Sequence, residues 1–125
     1  MRKLSAIFLF LLCFIPAIAQ GPVDDMSTSL AAGSLPGISR YFDRSVTMTI
    51  AGSQSTYSRS QAEMILKDFF NRNVPRSFQM EHSGKSRYLQ YAIGTLHTAS
   101  GNYRAYFSLK LKDGVFLLQE LRIEK

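Results

Sequence analysis

The stretch Tyr103-Arg104-Ala105-Tyr106-Phe107-Ser108-Leu109-Lys110-Leu111-Lys112-Asp113-Gly114-Val115-Phe116-Leu117-Leu118-Gln119-Glu120-Leu121-Arg122-Ile123 decides the fold. Tyr103, Ala105, Phe107, Leu109 and Leu111 recur at every second position, and so do Val115, Leu117, Gln119, Leu121 and Ile123. A period of two is the mark of a strand with one buried face. Asp113-Gly114 between the two runs supplies the pair of residues that tolerate the left-handed backbone of a tight hairpin. The same pattern extends towards the N-terminus. Ser100-Gly101-Asn102 is a turn signal, preceded by Leu89, Tyr91, Ile93, Thr95 and His97 on one face of a strand. Before it, Phe78, Met80 and His82 share a face of a strand that ends near Ser83-Gly84. The period predicts a meander of strands over the last third of the chain.

Upstream the period changes. Ala62, Ile65, Leu66, Phe69 and Phe70 recur at helical spacing, and Ser58 with Gln61 three residues later forms a capping-box pattern. Asn73 and Pro75 end that helix. Val46, Met48 and Ile50 alternate with Thr47 and Thr49 as a further strand; Ala51-Gly52-Ser53 turns the chain, and a short strand follows through Thr56 and Tyr57. From Val23 to Phe42 the pattern reads as two short helices broken near Gly33 to Pro36, with Leu30, Leu35, Ile38 and Phe42 as their buried stripe. A sheet with one apolar face must cover that face, and the helical pieces are the available cover. The expected class is α+β: a curved antiparallel sheet of about four to six strands wrapped around about three N-terminal helices, a half-open cone with room for a cavity at its wide end.

The first nineteen residues read as a cleavable secretory signal: Arg2 and Lys3, an apolar run from Leu4 to Ile15, then Pro16 and Ala17-Ile18-Ala19. The run falls short of the roughly 20 residues that a spanning helix needs. Residues 20–125 are then a single domain, periplasmic by default or secreted further out, with no membrane span after cleavage. Cleavage removes Cys13, the only cysteine, which leaves no disulfide, thiol nucleophile or cysteine-based metal site. The formal charge of +6 loses two positive charges with the signal. The remaining basic excess is scattered, which together with export argues against a nucleic-acid partner.

Tyr57-Ser58-Arg59-Ser60-Gln61-Ala62-Glu63 with Asp68-Phe69-Phe70, then His82-Ser83-Gly84, Tyr91-Ala92-Ile93-Gly94-Thr95-Leu96 and Gly101-Asn102-Tyr103-Arg104, together resemble the exported bacterial family called domain of unknown function 4783. The resemblance covers roughly residues 23 to 123. It implies the cystatin-like cone shared with nuclear transport factor 2 and ketosteroid isomerase, hence a single nuclear transport factor 2-like domain. It carries no established activity and no assigned catalytic residues, and the fold hosts both enzymes and binding modules.

Polar side chains on otherwise apolar strand faces must find partners or line a cavity. His82, Tyr91, Thr95, His97 and Gln119 are such groups and are the expected pocket residues. Asp43, expected at the end of the second helix, is a carboxylate that could join them. An acid–base isomerase, dehydratase or hydrolase would use His82 or Asp43 with Tyr91 as hydrogen-bond donor. His82 and His97 lack a third ligand for a metal, and no glycine loop cradles a phosphate, so neither metal nor cofactor is expected. Tyr88, Ala92, Leu96, Tyr106, Phe116 and Leu118 fall on the alternate parity. They are expected to form an outward apolar patch of the kind that marks an interface, for a homodimer or for docking to a partner. The lack of a catalytic constellation favours a binding module over an enzyme. Such a module would hold a small apolar or amphipathic ligand in the cone, or a protein on the outer sheet face.

Overall fold

The structure is a computed structural model and describes residues 21–125; the signal-peptide expectation lies outside the described residues. Three helices, α1 (Pro22–Ala32), α2 (Leu35–Ser39) and α3 (Arg59–Arg72), combine with six strands: β1 (Phe42–Ile50), β2 (Ser53–Ser58), β3 (Pro75–Lys85), β4 (Leu89–Thr98), β5 (Gly101–Lys112) and β6 (Val115–Glu124). The strands form one sheet in the order β2-β1-β6-β5-β4-β3. Neighbours are antiparallel except β1 and β6, which run parallel. Phe42, expected in the second helix, opens β1 instead.

Local chemistry sets each boundary. Pro22 begins α1, where its missing N–H costs nothing, and Gly33 ends α1 in the left-handed region at φ 64°. The Ser58 hydroxyl accepts from the Gln61 N–H while the Gln61 side chain accepts from the Ser58 N–H, so the capping box at α3 is complete. Asn73 closes α3 and accepts from the Tyr103 hydroxyl at 2.9 Å, which ties the helix end to β5. Ala51-Gly52 and Asp113-Gly114 turn their hairpins with positive φ at both residues of each pair.

The helices cover the inner face of the sheet. Met26 and Leu30 of α1, Ile38 of α2 and Leu66 of α3 are fully buried, as are Met48, Leu96, Phe107, Leu109, Leu118, Leu121 and Ile123 from the strands. These side chains make the inside of the cone the hydrophobic core of the protein.

Two bulges decide which residues face inward. In β3, Met80 pairs with Gly94 but His82 pairs with Ile93, so Glu81 is an extra residue and the parity of β3 reverses there. In β6, Ser108 pairs with Glu120 but Leu109 pairs with Leu118, so Gln119 is extra and parity reverses again. Before that bulge Leu118 faces in; after it Leu121 and Ile123 do. In β4 the inner residues are Ala92, Gly94, Leu96 and Thr98, all buried, which is the parity opposite to the expected one.

Candidate functional site

The corrected parity moves the sequence-derived pocket residues to the outside. Tyr91, Thr95 and His97 point to the outer face of β4, His82 follows them through the Glu81 bulge, and Gln119 is the exposed bulge residue of β6. Asp43 is the second residue of β1, not a helix end. Its carboxylate accepts from Lys112 at 2.6 Å and from the Arg44 N–H at 2.7 Å, and these bonds, the lysine's foremost, hold it below the usual carboxylate range. No hydrogen bond or ion pair joins Asp43 to His82 or Tyr91 among the described residues. The six residues do not converge on a point inside the cone. The expected interface divides too: Ala92, Leu96 and Leu118 are fully buried and offer no surface, because an inward strand face belongs to the core. Phe116 packs half-buried against that core, Tyr88 is exposed in the β3–β4 connection, and Tyr106 alone of the strand residues stands on the outer face as expected.

What does assemble is an outer surface carried by the central strands. The ladder sets Ile93, Tyr106 and Arg122 in one row across β4, β5 and β6, and Thr95, Arg104 and Glu124 in the next. The Tyr91 and Tyr106 rings lie 6.3 Å apart, and the Arg122 guanidinium sits 5.0 Å from the centre of the Tyr106 ring, within cation–π range. Glu120 anchors Arg122 at 3.0 Å. On the other flank Glu81, turned outward by its bulge, accepts from the Thr95 hydroxyl at 2.7 Å and pairs with Arg104 at 3.2 Å. The Thr95 bond, then Arg104, holds the Glu81 carboxyl below its ordinary range. His97 Nδ1 lies 2.9 Å from Asn102 Oδ1, so its ring is oriented across the strand pair. A shallow recess of about 190 Å³ lies between Arg104 and Arg122, floored by Ile93 and Tyr106.

A second recess, about 400 Å³, opens at the mouth of the cone between the start of α1 and the far end of β3. Val23 and Met80 supply its apolar wall, Asp24, Ser83, Lys85 and Gln90 its polar one. None of the six pocket residues expected from the sequence lines it. The signal for this site lay in the β3 bulge, which turns Ser83 inward opposite Ala92. Among the described residues no three His, Cys, Asp or Glu side chains gather as a metal site, and no helix is long and apolar enough to cross a membrane.

Comparison with known proteins agrees with this architecture. A family model described as domain of unknown function (DUF4783) matches residues 23–124. The chain belongs to this family. A DUF4783 protein of Bacteroides ovatus shares 29% identity and superposes with a TM-score of 0.77, over 81% of this chain and 92% of that one. A DUF4783 protein from Bacteroides uniformis, 24% identical, gives 0.78 over 81% and 94%. Beyond the family the likeness is one of fold alone. A candidate polyketide cyclase from Sinorhizobium meliloti, 10% identical, superposes with a TM-score of 0.62 over 82% of this chain and 92% of its own. Designed proteins of the nuclear transport factor 2 type also superpose. The fold of this DUF4783 chain is thus nuclear transport factor 2-like. No curated protein matches the chain.

Proposed function

We propose that this DUF4783 protein is a noncatalytic binding module, exported from the cytoplasm, that works through the outer face of β4, β5 and β6 and takes a second copy of itself there. One observation carries the reading: the inside of the cone is filled by core side chains, while Tyr91, Ile93 and Tyr106 stand together on the outside. Aromatic groups and arginines are the residues that anchor protein interfaces. The charges around them are mixed in sign, with Arg104 and Arg122 beside Glu81, Glu120 and Glu124. A surface carrying both signs can be complementary to itself across a two-fold axis. The acid–base enzyme reading has no such support, since its candidate groups do not meet in an enclosed site.

Sedimentation velocity over a wide concentration range tests the reading, using the protein and a Tyr106→Glu variant. The expected result is a concentration-dependent dimer that the variant, still folded by circular dichroism, fails to form. A protein that stays monomeric at the highest concentration overturns the second-copy assignment. Fractionation of expressing cells tests export, and retention in the cytoplasm would remove that part.

A further inference from the structure

The two edges of the sheet are treated differently. An edge strand exposes unpaired N–H and C=O groups, and proteins usually blunt it with proline, bulges or charge. The β3 edge has all three: Pro75 at its start, register breaks at Arg76 and Glu81, and Arg76, Glu81 and Lys85 along it. The β2 edge, Ser53-Gln54-Ser55-Thr56-Tyr57-Ser58, has none. Its register with β1 is unbroken from Ser45 opposite Ser58 to Ile50 opposite Ser53, and it holds no proline and no charge. Ile50 and Ser53 close a two-residue hairpin. The alternation of an antiparallel ladder then turns the N–H groups of Gln54, Thr56 and Ser58 away from β1. The Gln61 side chain takes up that of Ser58 at 3.0 Å; those of Gln54 and Thr56 stay on the open edge.

At the end of this edge two cations stand together. Arg44 of β1 and Arg59, the first residue of α3, border one groove of about 390 Å³ with Ser58, Ser60 and Glu63. Two like charges on one groove repel each other unless a counter-charge joins them. Yet among the described residues neither arginine has a carboxylate within ion-pair distance; Arg59 reaches only the Ser39 carbonyl at 3.4 Å, and Glu63 forms no ion pair. A second copy pairing through its own β2 would bring no counter-charge, since that strand has none.

We propose that β2 is a strand-docking edge: it takes an extended, acidic peptide segment of a partner protein, paired to Gln54 and Thr56, with a carboxylate of that segment seated between Arg44 and Arg59. Backbone pairing supplies affinity without demanding a sequence, and the arginine pair supplies register and selection for acid. The inference is independent of the outer-face dimer, which uses other strands.

The test uses a dye-labelled peptide of alternating threonine and valine closing on two aspartates, its asparagine counterpart, and fluorescence anisotropy. The aspartate peptide is expected to bind saturably, with slowed hydrogen exchange at Gln54 and Thr56. The asparagine peptide, and the Arg44→Ser/Arg59→Ser variant, should each bind about tenfold more weakly. Thr56→Pro removes one outward N–H without touching a β1–β2 ladder bond and should abolish the exchange protection. No saturable binding, or binding indifferent to both variants, overturns the proposal. Inorganic phosphate binding alone at the arginines, without edge protection, reduces it to an anion site. Self-association lost in Thr56→Pro would replace the peptide by a second copy.

Discussion

Gly94 and Gln79 touch through their backbones: a Cβ added to Gly94 would lie 2.2 Å from the Gln79 carbonyl oxygen. Gly94 is buried on the inner face of β4, opposite Met80 and just before the Glu81 bulge. The close approach is where β3 bends across β4, and the residue there needs no side chain rather than a special φ.

Gly94→Ala is therefore expected to destabilise the protein by about 1–3 kcal/mol, the range for overpacking a filled site. The neighbouring atom is backbone and cannot swing aside. Urea unfolding monitored by circular dichroism checks it; an unchanged midpoint would mean that β3 can shift at no cost.

The Thr49 hydroxyl of β1 is buried with no hydrogen-bond partner. Thr49→Val keeps the branched shape and removes the unpaired group, so it should raise stability by roughly 1 kcal/mol. Thermal unfolding of the two proteins under one buffer condition reads the difference, and a lowered Tm would show that the hydroxyl is satisfied in solution.

Asp43 and Lys112 join β1 to the β5–β6 hairpin at 2.6 Å. The folded pKa of Asp43 lies below its ordinary value, so the pair adds stability above the unfolded pKa of about 3.9 and loses it as pH falls through the folded value. With the lysine half exposed, Asp43→Asn should cost only about 0.2–1 kcal/mol at neutral pH. That gap should close as the pH is lowered below about 4 and shrink in high salt. A gap independent of pH would assign the loss to packing rather than charge.

The helix starts and the turns of this chain are legible because each rests on local chemistry; the end of α2 is not, since Phe42 and Asp43 already belong to β1. Ser58 with Gln61 opens α3, Gly33 closes α1, and Asp113-Gly114 turns the last hairpin. The alternation also places Val46 and Met48 of β1 and Tyr103, Ala105, Phe107 and Leu109 of β5 inward, as found, but the faces of β4, of β3 beyond its bulge and of β6 before its bulge depend on partners distant in sequence. β4 carries Leu89, Tyr91 and Ile93 on one parity and Ala92, Gly94 and Leu96 on the other. Counting large apolar residues favours the first set. The close passage of β3 needs the small residues inward, so packing chose the second. The bulges at Glu81 and Gln119 are set by register across strands, and an alternation rule continues straight through them. That rule places His82 and Gln119 inward, where the bulges turn them out. The charges of Glu81, Arg104 and Arg122 carry no signal in the sequence, since charge on a solvent face is ordinary and only their geometry sets them apart.

The parallel contact of β1 with β6 sets the order in which the molecule can come together. β6 lies between β1 and β5, and it leaves the ribosome after every other strand of its sheet. Until it arrives, the β1–β2 hairpin and the β3–β4–β5 meander are two fragments with no strand between them, and Leu118, Leu121 and Ile123 are missing from the core. The central position of β6 therefore makes closure of the sheet the last event that the chain order permits.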